Sequence, residues 1–288
     1  MKDLNYQLMK LCKANRDGSF STQATRRRIL DRIANQLHEL GYKHMQAKSL
    51  KPKHVEALVS LWKDQDLSVG TLKNLLSGLR WWARHVGKGD MIPKDNSAYD
   101  IGNRSQVATE SKAWELKEEQ LARVSDEYVR LSLRLQAAFG LRREEAIKFS
   151  PSYAIKDNHI KLKPTWTKGG RARTVPILNG GQRVLLDEVK ALAKGGALIP
   201  PDQIYIDQQN RYDRQVRKAG IKNPHGLRHA YAQRRYEELT GWKAPVAGGP
   251  ASKFLSSDQR ALNRGARETI AEELGHSREE ISKVYLGR

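Results

Sequence analysis

The chain has very little cysteine, and it lacks the sequence signals of several large classes of protein. Its 288 residues include one cysteine, Cys12, which excludes an internal disulfide framework and a cysteine-rich zinc site. No apolar run approaches the roughly 18 residues that a membrane-spanning helix needs. The N-terminus has no apolar region of the kind found in signal peptides. We therefore expect a protein of the cytoplasm that is not embedded in a membrane.

Two kinds of catalytic pattern are also missing. The chain has no Gly-x-x-x-x-Gly-Lys-Ser/Thr loop, since Gly87-Lys88 lacks both the upstream glycine and the following hydroxyl. It has no His-Glu-x-x-His pair and no compact acidic cluster with the spacing of a two-metal site. We therefore predict neither a cofactor nor a catalytic metal ion.

Positive charge is what the chain has in excess. It contains 52 Lys+Arg against 32 Asp+Glu, a net charge of +20. Residues 1–100 hold 18 of these basic residues against 10 acidic ones, which leaves 34 (52 − 18) against 22 (32 − 10) for the remainder. Charge on this scale, present in both parts, favours a polyanionic partner such as nucleic acid. On charge alone, a generally basic protein such as an RNA-associated factor remains an alternative.

Hydrophobic spacing predicts a mainly α-helical chain with a small antiparallel β-sheet. Over residues 1–90, four apolar stripes recur at helical spacing and predict a small helical domain. Ser21 or Thr25 is expected to cap its second helix. Trp81 and Trp82 are adjacent, so one of the two could be partly exposed, but core packing is the favoured interpretation for the pair. Residues 91–112, rich in Gly, Pro, Asn and Ser, are predicted to be a linker.

Residues 113–288 are predicted to form a mixed α+β domain. The ranges 159–165 and 173–178 have the pattern of two strands, joined by a hairpin turn at Lys168-Gly169-Gly170. Residues 241–264 contain two prolines and two glycines in a short stretch and are predicted to be a long loop. Helices are predicted near residues 118–121, 126–139, 182–193, 203–219, 225–239, 267–274 and 278–286.

Six side chains that could act on a phosphodiester follow one another along this second domain. They are Arg142 in Gly140-Leu141-Arg142-Arg143-Glu144-Glu145, Lys168 in Thr167-Lys168-Gly169-Gly170, His225 and Arg228 in His225-Gly226-Leu227-Arg228-His229, His276 in Leu274-Gly275-His276, and Tyr285. Each has an ordinary structural explanation when taken singly; Arg142, for example, could simply pair with Glu145 at a helix start. The complete set, in this order, favours a catalytic function over six separate structural roles.

The chemistry that this set suggests is metal-free cutting and rejoining of DNA. Phosphodiester exchange builds up negative charge, which arginine stabilises with two hydrogen bonds and a permanent positive charge. A tyrosine hydroxyl has a pKa near 10, so it needs a proton acceptor and a cationic pocket to attack phosphorus. The resulting phosphotyrosyl bond conserves the energy of the broken bond, so that religation needs no ATP.

These motifs resemble those of the tyrosine recombinase (phage integrase) family. The resemblance rests on Gly140-Leu141-Arg142-x-x-Glu145, Lys168-Gly169-Gly170-x-x-Arg173-Thr174-Val175-Pro176, His225-x-Leu227-Arg228-His229, and Leu274-Gly275-His276 with Tyr285 nine residues later. It covers roughly residues 113–288, and the helical first part agrees in shape with the family's core-binding domain. The resemblance implies a helical, SAM-like core-binding domain followed by a mixed α+β catalytic domain.

The resemblance also implies a role for each side chain. Tyr285 would be the nucleophile, which forms a 3′-phosphotyrosyl intermediate and releases a 5′-hydroxyl. Arg142 and Arg228 would hold the non-bridging oxygens, with His276 supporting them. Lys168 would protonate the leaving 5′-oxygen, and His225 would assist proton transfer at the tyrosine. Glu145 would be a structural partner of the Arg142 region. Without DNA, we expect Lys168 or Tyr285 to be displaced.

The partners that the resemblance implies are two DNA duplexes carrying attachment sites, brought together by a homotetramer. An accessory directionality factor is a further possible partner, and the nucleoid is the expected location in a bacterium. Candidate DNA contacts in the sequence are basic residues of both domains: Arg26, Arg27, Arg28, Lys73, Arg80, Arg171 and Arg173. For Arg26-Arg27-Arg28, a solvated helical face is an equal alternative.

Two alternatives to a mobile-element integrase remain open at this stage. One is a type IB topoisomerase, and the other is a DNA-binding relative that has lost catalysis. Residues 241–264 lengthen the interval between Arg228 and His276 beyond the family's usual spacing, and either a DNA or subunit contact or a surface insertion would explain them. Only three residues follow Tyr285, so the sequence leaves open how subunits would contact one another, with another element of the chain as one alternative.

Overall fold

Two compact units divide the chain, Met1–Ser105 and Gln106–Arg288. They are seen in a computed structural model, which describes residues 3–103, 107–276 and 282–288. The predicted fold class is confirmed, since helices predominate and the described residues form one two-stranded antiparallel sheet. Within the described ranges, no helix is long and apolar enough to cross a membrane.

The first unit is a bundle of four helices around its own apolar core. The helices are α1 (Asp3–Ala14), α2 (Phe20–Glu39), α3 (Pro52–Asp64) and α4 (Val69–His85). Single 3₁₀ turns lie at Ala47–Ser49, Gly89–Met91 and Asn96–Tyr99. Ile92 and Ile101, in the segment predicted to be a linker, are buried in this core. Their burial explains why the first compact unit extends past residue 90.

In the first unit, the predicted cap of the second helix is wrong and the favoured core packing of the two tryptophans is confirmed. Helix α2 is capped by Ser19, whose Oγ accepts from the Thr22 N–H at 3.2 Å, and not by Ser21 or Thr25. Trp81 and Trp82 are both buried. Trp82 donates to the Ala47 carbonyl, whereas Trp81 donates to Asp17 at 3.2 Å and lies under the Arg26 guanidinium. Two adjacent positions of one helix can therefore both be buried, because the turn between α1 and α2 covers Trp81.

The second unit begins with short helices and a small sheet. Its first helices are α5 (Glu118–Ala122), α6 (Glu127–Phe139), α7 (Arg143–Ile147) and α8 (Pro151–Ala154). Strands β1 (His159–Leu162) and β2 (Arg173–Pro176) pair antiparallel, with Ile160 opposite Val175. The predicted pairing is therefore present, but a 3₁₀ turn at Pro164–Trp166 and the Lys168 turn make the connection longer than a tight hairpin.

Longer helices complete the second unit. They are α9 (Gly180–Ala193), α10 (Tyr205–Lys218), α11 (Gly226–Thr240), α12 (Ser257–Glu273) and the short α13 (Lys283–Leu286). Part of the predicted helix 278–286 falls on residues 277–281, outside the described residues. The predicted loop 241–264 is too long, because α12 begins at Ser257. Ser256 and Gln259 form a capping box there, a start signal that the sequence prediction missed.

Candidate active site

Arg142 is placed where the chain turns sharply from α6 into α7. Gly140 ends α6 with a φ of +61°, a conformation that favours glycine, and a Cβ there would lie 2.6 Å from the Tyr231 ring. The Arg142 N–H then donates to Glu145 Oε2 at 2.7 Å, and its guanidinium donates to Glu145 Oε1 at 2.8 Å. The ion pair that sequence offered as the structural explanation of Arg142 is therefore present.

Glu145 is the buried anion that organises this part of the site. It is fully buried and also accepts two hydrogen bonds from Arg173, at 2.6 and 2.7 Å. Burial alone would raise the pKa of this carboxyl group. The hydrogen bonds and charge of Arg173, with the charges of Arg228 and Arg142, outweigh burial and lower the pKa to about 2. Glu145 is therefore ionised, and it fixes the orientation of Arg142.

Arg228 is fully buried on the first turn of α11. Its Nη1 donates to the Gly140 carbonyl at 2.5 Å, and its Nη2 donates to the Leu274 carbonyl. These two carbonyls end the elements that precede Arg142 and His276, so Arg228 joins three segments of the fold. Burial lowers the pKa of Arg228 to about 10, which still leaves it cationic at neutral pH. The third donor, Nε, is directed at Tyr285.

The hydroxyl of Tyr285 lies between Arg228 and His276. Arg228 Nε is 3.2 Å from the phenol oxygen, and His276 Nε2 is 3.3 Å from it. Arginine can only donate, so the phenol accepts from Arg228 Nε, and His276 Nε2 accepts from Arg228 Nη2 at 3.4 Å. An accepting Nε2 carries no proton, so the phenol donates its own proton to it. The tyrosine is buried and α13 presents it from within the same unit. Of the two side chains expected to be displaced without DNA, Tyr285 is thus held inside the cluster.

His276 is in the protonation state that this hydrogen bond requires. It follows α12 directly, after Gly275, whose φ is +68° and whose Cβ, if present, would lie 2.8 Å from Arg173 Cδ. Partial burial and then the charges of Arg228, Arg142 and Arg173 lower its pKa to about 3. The imidazole is therefore neutral at physiological pH, and its Nε2 can accept a hydrogen bond from the phenol.

His225 and Lys168 lie at the solvent side of the cluster. His225 precedes α11 and its ring centre is 6.3 Å from that of Tyr285. Its pKa is lowered by desolvation first, then by the charges of Arg228, Arg142 and Lys168, with Glu145 opposing. Lys168 is exposed on the turn between β1 and β2 and is close enough for its charge to act on His225. Both arginines and all three other candidates are therefore on one side of this unit, with Tyr285 among them.

One residue of the cluster, His229, was not among the predicted site residues. It is buried one helical turn after His225, with its ring 4.7 Å from that of Tyr285. Burial and the charges of neighbouring cations lower its pKa to about 4, so it is neutral. Its place in the His225-x-x-Arg228-His229 motif, four residues after His225 on one helix face, was the signal that could have identified it.

The two predicted DNA contacts of the second unit differ in exposure. Arg171 is exposed on the turn beside Lys168. Arg173 is instead buried, with both terminal nitrogens on Glu145 and Nε on the Glu273 carbonyl at 2.9 Å. A guanidinium with these partners cannot reach a phosphate without leaving a buried carboxylate unpaired. The structure therefore corrects the prediction for Arg173, which is part of the support of Arg142.

In the first unit, the predicted contacts differ in how free their charges are. Arg27 and Arg28 are exposed on α2. Arg26 forms a bidentate pair with Asp17, at 2.8 and 2.9 Å, and its side chain is largely covered. Arg80 donates twice to the Pro93 carbonyl, and Lys73 donates to Asn103. The sequence could not distinguish these states, because the partners of Arg26 and Arg80 lie 9 and 13 residues away along the chain.

The arrangement is chemically suited to holding an oxyanion next to a nucleophile. A buried arginine, a second oriented arginine and neutral histidines surround one phenol, and a lysine lies at the edge. Cationic groups fixed in this way stabilise charge that develops on phosphate without reorganisation. The neutral His276 lies where its Nε2 accepts the hydrogen bond of the phenol.

Family models match most of the chain. A model described as phage integrase, N-terminal, matches residues 1–92, and a model described as integrase matches residues 101–234. A comparison with curated protein sequences finds no significant match.

Solved structures of recombinases share the fold. A XerH site-specific recombinase bound to a palindromic difH substrate, in a post-cleavage complex, is 19% identical, with a TM-score of 0.58 over 99% of this chain and 81% of that one. A lambda integrase dimer bound to a COC′ core site is 15% identical, with a TM-score of 0.60 over 98% and 76%. The Tn1549 transposon integrase, in complex with circular intermediate DNA, is 15% identical, with a TM-score of 0.55 over 100% and 96%.

Proposed function

Because the chain belongs to the phage integrase family of tyrosine recombinases, we propose that it is a site-specific DNA recombinase of a mobile genetic element. It cuts and rejoins DNA strands through a 3′-phosphotyrosyl intermediate on Tyr285. The observation that supports this most directly is the contact of the Tyr285 hydroxyl with both Arg228 and His276. A tyrosine that only packed a terminal helix would not need a cationic partner for its oxygen.

Each step of the reaction uses a group of the cluster. Arg142 and Arg228 bind the non-bridging oxygens of the scissile phosphate, and His276 supports them. The phenol oxygen attacks phosphorus as its proton leaves, for which His276 is the nearest acceptor in this state and His225 the acceptor expected from the family. The bond from phosphorus to the 5′-oxygen breaks, and Lys168 protonates that oxygen. Religation reverses these transfers, with a 5′-hydroxyl as nucleophile.

DNA binding must rearrange the resting contacts of Tyr285. In the resting state Arg228 Nε is occupied by the phenol, whereas its other two nitrogens hold backbone carbonyls. A phosphate oxygen that accepts the Nε hydrogen bond in place of the phenol releases the phenol oxygen. The phenol oxygen can then attack phosphorus on the side opposite the leaving 5′-oxygen. The buried guanidinium keeps its place meanwhile, because Gly140 and Leu274 continue to hold it.

A nicked suicide substrate tests the proposal. It carries a candidate attachment site, and loss of the short fragment after cleavage traps the covalent adduct. We expect an adduct with the wild-type protein in the presence of a chelator, and none with Tyr285→Phe, which removes the attacking oxygen and keeps the ring. Adduct formation by Tyr285→Phe, or its dependence on a divalent ion, would contradict the proposal. Adducts on DNA of any sequence, with relaxation of supercoils, would indicate a topoisomerase instead.

The larger assembly belongs to the same proposal. We expect four chains to bring two duplexes together on the nucleoid, with an accessory factor able to set the direction of exchange. A lambda integrase tetramer bound to a Holliday junction shares this fold, at 16% identity and a TM-score of 0.58, which supports the expectation. Arg27, Arg28 and Arg171 are the exposed side chains that we propose as DNA contacts.

A further inference from the structure

The nucleophile is carried by a very short helix whose carbonyl oxygens are held from outside. Helix α13 has four residues. The Ala108 N–H donates to the Lys283 carbonyl at 3.0 Å, Gln233 Nε2 donates to the Tyr285 carbonyl at 3.0 Å, and Arg267 Nη2 donates to the Gly287 carbonyl at 3.1 Å. The Lys283 carbonyl also accepts from the Gly287 N–H just after the helix, at 3.1 Å, whereas the Tyr285 carbonyl has no partner within so short a helix. The orientation of α13 therefore depends on the donors of Ala108, Gln233 and Arg267.

Gln233 ties the backbone of Tyr285 to the helix that also holds its hydroxyl. It lies on α11, five residues after Arg228. Its own orientation is fixed, because Ser111 Oγ donates to Gln233 Oε1 at 3.1 Å. The amide nitrogen must then point away from Ser111 and towards the Tyr285 carbonyl. One helix thus contacts the nucleophilic residue at its hydroxyl, through Arg228, and at its main chain, through Gln233.

Arg267 holds both ends of α13. It is buried on α12, where its Nε donates to Asn263 Oδ1 at 2.9 Å. Its Nη1 donates to the hydroxyl of Ser282, just before the helix, and its Nη2 to the carbonyl of Gly287, just after it. These partners span the whole length of α13, so the planar guanidinium sets the position of the helix along its axis.

We propose that Gln233 and Arg267 are positioning residues for the nucleophile of this recombinase. Neither is in contact with the phenol; each acts on the backbone from which the phenol projects. The inference rests on the proposed function, since it assigns what aims Tyr285 at the scissile phosphate. A displacement of about 1 Å in a reacting group can cost roughly a hundredfold in rate. Gln233 and Arg267 prevent such displacement once the phenol leaves Arg228 to attack.

Single-turnover cleavage of the suicide substrate at saturating DNA is the test. Gln233→Leu removes both hydrogen bonds, and Gln233→Glu removes the donor but keeps an acceptor for Ser111. We expect both to form the adduct roughly ten- to a hundredfold more slowly than wild type. The dissociation constant for intact DNA, measured in a Tyr285→Phe background, is expected to stay within about twofold, because the phosphate-binding groups are untouched. Arg267→Lys, which keeps the charge but not the fork, is expected to show an intermediate loss of rate.

Gln182→Leu is the matched control. Gln182 is a buried glutamine of the same unit, with its amide nitrogen on the Ala138 carbonyl at 2.8 Å and its oxygen accepting from the Leu178 N–H. It is remote from α13 in its contacts, so its loss should lower the melting temperature and leave the saturated cleavage rate near that of wild type.

The outcomes separate this inference from the proposed function. If wild type forms the adduct and the Gln233 variants form it as fast, or lose no more rate than Gln182→Leu, the positioning role is wrong and the recombinase assignment stands. If wild type forms no adduct with any attachment-site DNA, the proposed function itself fails. A slower adduct in both Gln233 variants, with unchanged DNA affinity and a normal rate for Gln182→Leu, supports the inference.

Discussion

At the scale of single residues, the site is organised around one buried carboxylate. Glu145 accepts hydrogen bonds from Arg142 and Arg173, so that one arginine is oriented for phosphate and the other is confined to the interior. The sequence analysis predicted Arg142 as a catalytic residue and Arg173 as a DNA contact. Their different states follow from exposure, since the side chain of Arg142 is 19% exposed and that of Arg173 is 4% exposed. A phosphate oxygen can therefore approach Arg142 and not Arg173.

Replacing Glu145 by glutamine is predicted to destabilise the second unit by about 3–5 kcal/mol, because two guanidinium groups lose their buried counter-ion. Glu188→Gln is the control, since Glu188 pairs with Arg134 at the surface and its loss should cost less than about 1 kcal/mol. Denaturant unfolding at neutral pH measures both. Equal losses for the two variants would show that Glu145 has no special structural role.

The ion pairs of Glu145 also predict that the unfolding free energy depends on pH. The folded-state pKa of Glu145 is about 2, below its ordinary value of 4.5, so its stabilisation is complete above pH 4.5 and is lost as the pH falls towards 2. The difference in unfolding free energy between wild type and Glu145→Gln should shrink over this range. A difference that stays constant from pH 5 to the acid limit of folding would contradict the assignment.

At the scale of elements, the turn between α6 and α7 sets the position of Arg142. Gly140 has a positive φ there, and the Tyr231 ring fills the space where a Cβ would lie. Its carbonyl also accepts from Arg228. One glycine therefore connects the two arginines that are proposed to bind the phosphate.

Gly140→Ala is predicted to slow adduct formation and to destabilise the unit by more than backbone strain alone. Gly220 is the matched control, because its φ is +75° and no atom lies within 4 Å of a Cβ placed there. Gly220→Ala should cost about 1–2 kcal/mol from the left-handed conformation, whereas Gly140→Ala adds the clash with Tyr231. Unfolding and single-turnover cleavage measure the difference. Equal unfolding free energies and equal cleavage rates for the two variants would show that the turn at Gly140 does not position Arg142.

At the scale of the whole molecule, the nucleophile proposed for this chain lies against two of its proposed partners in the same chain. Tyr285 contacts Arg228 and His276 of its own second unit, and donors of that unit hold α13. The long interval between Arg228 and His276 contains the whole of α12, and Asn263, from the predicted loop 241–264, accepts a hydrogen bond from Arg267 at 2.9 Å. Part of the segment predicted as a loop insertion thus supports the nucleophile helix, whereas residues 245–254 form two 3₁₀ turns with an exposed Phe254.

A mixture of two inactive variants tests whether Tyr285 acts within its own subunit. Arg228→Ala keeps the tyrosine but loses the phosphate-binding guanidinium, and Tyr285→Phe has the opposite defect. If each chain uses its own tyrosine, as the resting contacts predict, the mixture forms no more adduct than either protein alone. Recovery of adduct on the Arg228→Ala chain, identified by a size tag, would show that the tyrosine is donated between subunits.

The order and spacing of the motifs were enough to identify the family and the fold class, and to predict the six side chains of the candidate site, Tyr285 among them. The motifs predict this much because catalysis needs particular functional groups, and the sequence gives the identity and order of these groups directly. The caps of α2 and α12 are local patterns that the sequence prediction missed, since Ser19 and Thr22, like Ser256 and Gln259, are three residues apart. The contacts that bury both tryptophans and the separation of Arg173 from Arg142 could not be read in this way. Each depends on partners that folding brings near from elsewhere in the chain, such as Glu145 for Arg173, and long-range contacts of this kind leave no local pattern. The hold of Gln233 and Arg267 on the nucleophile helix belongs to the same class, since both act on backbone carbonyls that every residue possesses.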